Sequence, residues 1–483
     1  MQYLNRTYHK TKTYPEKILQ FGGGNFLRAF VDGFVQDLNE MSDFNAGVVL
    51  VKPTPRGNYN ALKKQDGLYT LLLRGIKNGA ASSEHRIIDC IQRIVDPYTD
   101  HAEYLRIAQN PDLRFVFSNT TEAGITYREQ DRSSDTPQES FPGKLTALLY
   151  ERFKHFKGHP EKGLILIPCE LIEKNGTFLQ NIMVTHARAW KLENEFIQWI
   201  EQHNVFCNTL VDRIVPGFPK DEYEHISAKF GYSDELMVVG EYFHAWVIEG
   251  PASVQKELPF DQFQINAIFT NNISPYRKRK VRILNGAHTV LVPIAYLCGL
   301  RTVRASVEDH IVGEFLKNVL YEEILPTLDF PENELVAFTD AVLDRFLNPF
   351  IEHQLISISL NSVSKYKTRV LPTLLDVVKT KEQLPKGLVF ALAAMIVFYK
   401  GSIDGEHIAL KDEEEVLIFF KTYWANDNIA KLVSDLLANT SFWEADLTKV
   451  NGLLELTTQY VLQIEEKGMK NTLISLTAEL KNK

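Results

Sequence analysis

Cysteine is scarce in this chain: Cys90, Cys169, Cys207 and Cys298 are the four among 483 residues, and none forms a CxxC pair. That spacing argues against a disulfide framework. It also argues against a thiolate zinc centre such as that of a zinc alcohol dehydrogenase, so no metal is expected. A cytoplasmic location is the simplest expectation. Long apolar runs are missing as well. The longest, residues 388–399, is too short to cross a bilayer and reads as a buried helix. Residues 1–17 are polar and basic, without the apolar stretch of a signal peptide. Neither segment predicts a membrane partner. Positive charge is not in excess: the formal net charge is -8, which argues against nucleic acid as a partner.

A chain of 483 residues is too long for one ordinary core, and two domains are expected. Short apolar segments at residues 17–21, 47–51, 114–118 and 163–167 read as buried strands of a mostly parallel sheet. Helical patterns lie between them; over residues 26–39, Phe30, Phe34 and Leu38 share one face. This alternation predicts an α/β fold, a Rossmann-type doubly wound domain over residues 1–275. From residue 276 helical periods dominate, at 281–300, 307–320, 335–346, 387–399 and 413–424. They predict a mainly α-helical second domain over residues 276–483. Residues 127–142 are polar and read as a surface loop.

The chemistry begins at Phe21-Gly22-Gly23-Gly24-Asn25-Phe26, which ends a predicted strand and opens a predicted helix. Glycines let the backbone turn tightly and approach a pyrophosphate, which then meets the N–H groups of the helix start. The third glycine of the fingerprint is missing, with Leu27 in its place, so a plain glycine turn competes with this reading. The second strand also lacks the acid that binds the adenosine ribose of NAD. It ends Val51-Lys52-Pro53-Thr54-Pro55-Arg56. Lys52 and Arg56 either meet the 2′-phosphate of NADP or are solvated loop charges.

A second constellation is Lys280, Asn285 and His288. On a straight α-helix the last two lie about 140° and about 80° around from the first, so all three can face one cleft. Carbonyl reduction needs a proton donor for the developing alkoxide, a donor that holds the oxyanion and an orienting group. Lys280, Asn285 and His288 supply these in that order. Arg277, Lys278 and Arg279 add positive charge that favours a lowered lysine pKa. The competing reading is a solvated basic helix start followed by a core histidine. The place at a predicted domain boundary, where ligand clefts usually lie, favours the chemical one.

These residues resemble the mannitol dehydrogenase family, the long-chain polyol dehydrogenases. Gly22-Gly23-Gly24-Asn25-Phe26-Leu27-Arg28-Ala29 is similar to the family's GxGxFxRA turn, and Lys280, Asn285 and His288 match its K-x4-N-x2-H signature. Val211-Asp212-Arg213-Ile214 and Arg345-Phe346-Leu347-Asn348-Pro349 are further matches. The resemblance covers nearly the whole chain. It leans to the family's uronate branch through residues 21–32, 118–125, 167–172 and 283–288. It implies metal-free, reversible reduction of a keto-sugar acid with NADH and Lys280 as general acid/base. It also implies a Rossmann-type N-terminal domain and a helical C-terminal domain with the site between them. It points to NAD, where Lys52 and Arg56 leave NADP open. Two positions depart from the polyol members. Leu171 stands where many have an asparagine that donates to the oxyanion, and Arg277 stands where they have a glutamate that relays protons. Both changes occur in the uronate branch.

Thr121 and Glu122 follow a strand, near where the nicotinamide is expected. A hexuronate carries a carboxylate that a hexitol lacks. Ser364-Lys365-Tyr366-Lys367-Thr368-Arg369 offers cations for it through charge-assisted hydrogen bonds. Lys365, which matches a family lysine, and Arg369 are the substrate candidates there. Asp212 reads as a ligand for a substrate hydroxyl or as a cap acting through Arg213. His353 reads as structural. A nucleotide sensor has no use for an acid/base lysine, so an enzyme is the preferred reading. A sibling polyol or uronate dehydrogenase is the alternative.

Overall fold

Six short strands form one sheet: β1 (Glu16–Phe21), β2 (Gly47–Val51), β3 (Ile91–Val95), β4 (Phe115–Ser118), β5 (Ile165–Pro168) and β6 (Val205–Phe206). The computed structural model describes residues 2–481 apart from 78, 121, 122, 264, 404 and 427. The spatial order is β3-β2-β1-β4-β5-β6, and the neighbours pair in parallel. This is the doubly wound order, in which the chain reverses direction of travel at β1. Ligands of such sheets bind at the C-terminal strand ends beside the reversal. The strands were legible as apolar runs because both faces are covered. Leu19, Phe21, Val49 and Val51 enter one apolar cluster, and Ile18, Val48 and Leu50 enter the other, as the twofold alternation of a strand requires.

Residues 26–39, read as one helix, are two: α1 (Asn25–Ala29) and α2 (Val31–Met41). Phe30 breaks them apart with φ -119° and ψ -80°. Its ring still joins Phe34 and Leu38 in the core. Among the described residues, two three-stranded sheets were not expected. One pairs Tyr69–Lys77 with Ala80–Ile88 and with Val238–Glu241; the other joins Asn208–Asp212, Ala245–Glu249 and Ala267–Thr270. Of the segment 127–142, residues 127–140 are a loop and the last two begin a helix; the loop is not wholly a surface one. Asp131 is buried and accepts the backbone N–H groups of Glu139 and Ser140, and the Ser140 hydroxyl caps the helix Phe141–His155.

Contacts divide the chain into two compact units, Met1–Lys77 with Ser82–Ile273, and Asn78–Ala81 with Ser274–Lys483. The second unit is built round the helix Lys386–Phe398, buried from Gly387 to its end. His310–Asn318, Glu332–Phe346 and Glu414–Trp424 take up the other expected helical periods. The segment expected at 281–300 starts earlier. It is α-helical over Ser274–Lys280, π-helical over Val281–Asn285 and α-helical again over Gly286–Leu297. Among the described residues no helix is long and apolar enough to cross a membrane.

Asp32, on α2, is fully buried. One carboxyl oxygen accepts from Gln20 at 3.3 Å and from the Tyr69 hydroxyl at 3.1 Å, and the other has no partner. Burial pushes its pKa up to about 7, against the pull of those donors. A carboxyl raised in the fold keeps its proton where the unfolded chain has lost it. Its contribution to stability therefore falls as pH rises from about 4 to about 7. Asp32→Asn removes that dependence. The melting temperature of the variant relative to the native protein should rise across this window, by the equivalent of roughly 4 kcal/mol at most. Melting curves that stay parallel with pH would show Asp32 charged in the fold.

Candidate active site

The chain leaves β1 at Gly22 with φ +112°, a conformation L side chains rarely adopt. A Cβ there would also lie 3.4 Å from Leu27 Cδ1. The buried Leu27 thus covers the turn where the fingerprint has its third glycine. Gly23 packs under Tyr59 and donates its N–H to the Tyr59 hydroxyl at 3.0 Å. Gly24 differs: an added Cβ would meet nothing within 4 Å, and no side chain caps the helix that starts there. Open space in front of an uncapped helix start fits the pyrophosphate of a dinucleotide. Arg28 anchors the turn from the buried side. It donates to the Gly23 carbonyl at 3.1 Å, to Asn25 Oδ1 at 2.8 Å and to the Leu236 carbonyl. Phe26 is half-buried and stacks on Phe30 at 4.9 Å. Phe21, expected in the cofactor turn, packs its ring in the core against Phe141 and Tyr104.

Glu170 ties together the loops that follow β4 and β5. It is buried; Oε1 accepts the Thr120 N–H and hydroxyl, both at 2.9 Å, and Oε2 accepts the Ser118 hydroxyl at 3.0 Å. Burial raises its pKa while these donors work in the opposite sense. Asn119 donates its side-chain N–H to the Cys169 carbonyl at 2.7 Å and its backbone N–H to the Phe21 carbonyl at 3.4 Å. The two loops and the glycine turn are therefore one hydrogen-bonded assembly. Sequence reasoning missed Glu170 and Asn119; the available signal was a polar residue placed directly after each apolar strand. Thr121 and Glu122 lie outside the described residues. Leu171 is exposed. Asp212 ends its strand and is buried, and the adjacent Arg213 donates to the carbonyls of Ala29, Tyr242 and Phe243.

In the second unit Lys280 ends the first α segment, Asn285 ends the π turn and His288 lies in the first turn of the next α segment. All three are half-buried. The π turn cancels the straight α-helical rotation assumed between Lys280 and Asn285, and such turns concentrate at functional sites. The His288 ring lies 4.3 Å from Phe346 and 5.4 Å from His353, and its Nε2 is buried without a hydrogen-bond partner. Its pKa is held well below the usual value, first by burial and then by His353, Arg345 and Arg369; a hydrogen bond with the Leu284 carbonyl opposes this. Burial and these positive charges both favour the neutral form of the His288 imidazole. His353, expected as structural, accepts the Val303 N–H on its carbonyl at 3.0 Å and also brings its ring to His288.

Two of the cations expected to act on Lys280 have partners elsewhere. Arg279 is buried against the rings of Phe338, Phe330 and Tyr276 and lies 3.8 Å from Glu334. Lys278 lies 3.9 Å from Asp376. Lys365 and Arg369 are one turn apart on the helix Ser362–Arg369, and the charge of Arg369 lowers the Lys365 pKa after burial has done so. Lys365 donates one proton to the Ile358 carbonyl at 2.7 Å. Lys367 pairs with Glu444 at 2.8 Å. Among the described residues no group of three or more His, Cys, Asp or Glu side chains is placed to hold a metal ion.

An oxidoreductase is the class of protein that this sheet order, glycine turn and lysine-bearing helical unit define. The family model of the mannitol dehydrogenase Rossmann domain matches residues 16–262, and that of the mannitol dehydrogenase C-terminal domain matches residues 272–465. The chain belongs to the mannitol dehydrogenase family and acts on CH–OH groups. It is 46% identical over 476 residues to the altronate oxidoreductase of Yersinia enterocolitica, covering 97% of this chain and 99% of that one. The altronate oxidoreductase of Escherichia coli O139:H28 matches at the same identity and coverage. The fold is that of Pseudomonas fluorescens mannitol 2-dehydrogenase, solved as a ternary complex with NAD and D-mannitol. That match has a TM-score of 0.69 and 21% identity over 98% of this chain and 99% of the other. A D-sorbitol dehydrogenase superposes with a TM-score of 0.81 at 22% identity, over 98% of this chain and all of the other.

The open surroundings of Gly24 give a direct test of the turn. Gly24→Ala adds a methyl group that the apoprotein accommodates, so the melting temperature should stay within about 2 °C of the native value. The same methyl group stands where a pyrophosphate approaches, so dinucleotide affinity should fall by roughly tenfold or more. An alanine variant that keeps full affinity would remove the turn from the site.

Proposed function

We propose that this chain catalyses the reversible NAD-dependent reduction of D-tagaturonate to D-altronate. The observation that carries the reading is 46% identity to altronate oxidoreductases across 97% of the chain. Residues 1–275 are taken as the dinucleotide domain, with Phe21 to Phe26 forming the turn under the pyrophosphate and Thr121 and Glu122 near the nicotinamide. Residues 276–483 are taken as the domain that holds the sugar acid and carries the acid/base. The four free cysteines agree with a cytoplasmic enzyme.

A dinucleotide held at the turn of residues 22–26 would supply hydride to the carbonyl carbon during reduction and take it from the carbinol carbon during oxidation. The ammonium of Lys280 donates a proton to the developing alkoxide during reduction and recovers it during oxidation. The Asn285 amide donates to the same oxygen and holds its charge. With no asparagine at Leu171, Asn285 takes that load. His288, whose neutral form is favoured by burial and by nearby positive charge, orients the substrate. Lys365 and Arg369 meet the uronate carboxylate, because they are half-buried cations one turn apart and the charge of Arg369 is felt at His288. Asp212 binds a hydroxyl.

Lys280→Met tests the reading at its chemical centre. Turnover of tagaturonate with NADH should fall by roughly 100-fold or more, the scale of lost general acid/base catalysis. The pH–rate profile should lose the ionisation of the lysine, and NADH should bind as before. Near-native turnover in a folded Lys280→Met protein would refute the assignment.

A further inference from the structure

The end of β2 is where a doubly wound sheet meets the adenosine ribose, and an acid there selects NAD. This chain has Lys52 at that place, a cation suited to a 2′-phosphate. The structure shows what the lysine does. Its ammonium lies 3.2 Å from Asp96 Oδ2, and the two side chains are 12% and 11% exposed. Asp96 follows β3, the strand beside β2, and the backbone N–H of Lys52 donates to the Val95 carbonyl at 3.1 Å. The carboxylate is itself fixed: Asp96 Oδ1 accepts the Tyr98 N–H at 3.0 Å. Tyr98 in turn donates its hydroxyl to the Pro53 carbonyl at 3.3 Å, and its ring lies 5.9 Å from the Lys52 ammonium. The pair is therefore neutral, largely covered and braced on both sides. Arg56, the other cation of this strand end, is exposed.

We propose that Asp96 sets the cofactor preference of this chain by withholding Lys52 from a 2′-phosphate. The acid missing from the end of β2 is supplied by the neighbouring strand. A phosphate that reached Lys52 would have to break a covered ion pair and then lie beside the freed carboxylate. A free 2′-hydroxyl demands neither. This inference rests on reading the first unit as a dinucleotide site.

The test is isothermal titration of the full chain with NADH and with NADPH, without sugar. The native protein should bind NADH more tightly. Asp96→Asn frees Lys52 and should tighten NADPH by roughly tenfold or more, the size of one charge-assisted contact, while NADH changes by less than about threefold. The double variant Asp96→Asn with Lys52→Met should return NADPH to near its native affinity. It also carries the test if the single variant, with its unpaired covered lysine, does not fold. An Asp96→Asn protein with unchanged NADPH affinity would overturn the proposal. So would a double variant that binds NADPH tenfold more weakly than the native chain, because Lys52 would then already contact the phosphate. Native preference for NADPH overturns this proposal together with the NAD dependence proposed above and leaves the dinucleotide site standing, whereas failure to bind either dinucleotide overturns the dinucleotide reading beneath both.

Discussion

Gly22 turns with φ +112°, and a buried polar set holds it there. Gln20 donates to the Gly22 carbonyl at 3.1 Å and to Asp32 at 3.3 Å. Tyr69 donates to the Arg28 carbonyl at 2.8 Å and to Asp32, while Arg28 reaches the Gly23 carbonyl. Four elements thus share one network: β1, α1, α2 and the strand Tyr69–Lys77. Each buried polar group in it costs free energy if its partner is lost. The network keeps Gly24 facing open space. It also holds the Phe21 carbonyl where Asn119 reaches it, and through Asn119 and Glu170 the loops after β4 and β5.

Much of this was legible in the sequence where burial is simple. β2 is buried throughout and reads as an unbroken apolar run; the helix Lys386–Phe398 does too, and its length separates the cases. The strand Ala80–Ile88 was illegible because most of it is exposed and polar. The break at Phe30 and the π turn before Gly286 leave the apolar period nearly unchanged, so periodicity cannot reveal them. Lys280, Asn285 and His288 lie along one continuous helical segment, although the rotation assumed between them was not theirs. The Lys52–Asp96 and Glu170–Thr120 contacts join residues 44 and 50 positions apart. Only the sheet order brings such pairs together.

The fold shared with the mannitol and sorbitol enzymes leaves the choice of sugar to side chains, since their identity to this chain is 21% and 22%. Here, in a chain of net charge -8, the charges of Arg345 and Arg369 act on His288 and that of Arg369 acts on Lys365. Under the proposed function a uronate carboxylate meets Lys365 and Arg369, while burial first, and then the charges of His353, Arg345 and Arg369, lower the His288 pKa.

The most direct test compares the native enzyme on two ketones that differ in that group: D-tagaturonate and a neutral ketohexose with NADH, followed as loss of NADH absorbance. The account predicts that kcat/KM favours the uronate by roughly 10- to 150-fold, the worth of one charge-assisted contact. Equal specificity for the two, or preference for the neutral sugar, would contradict it.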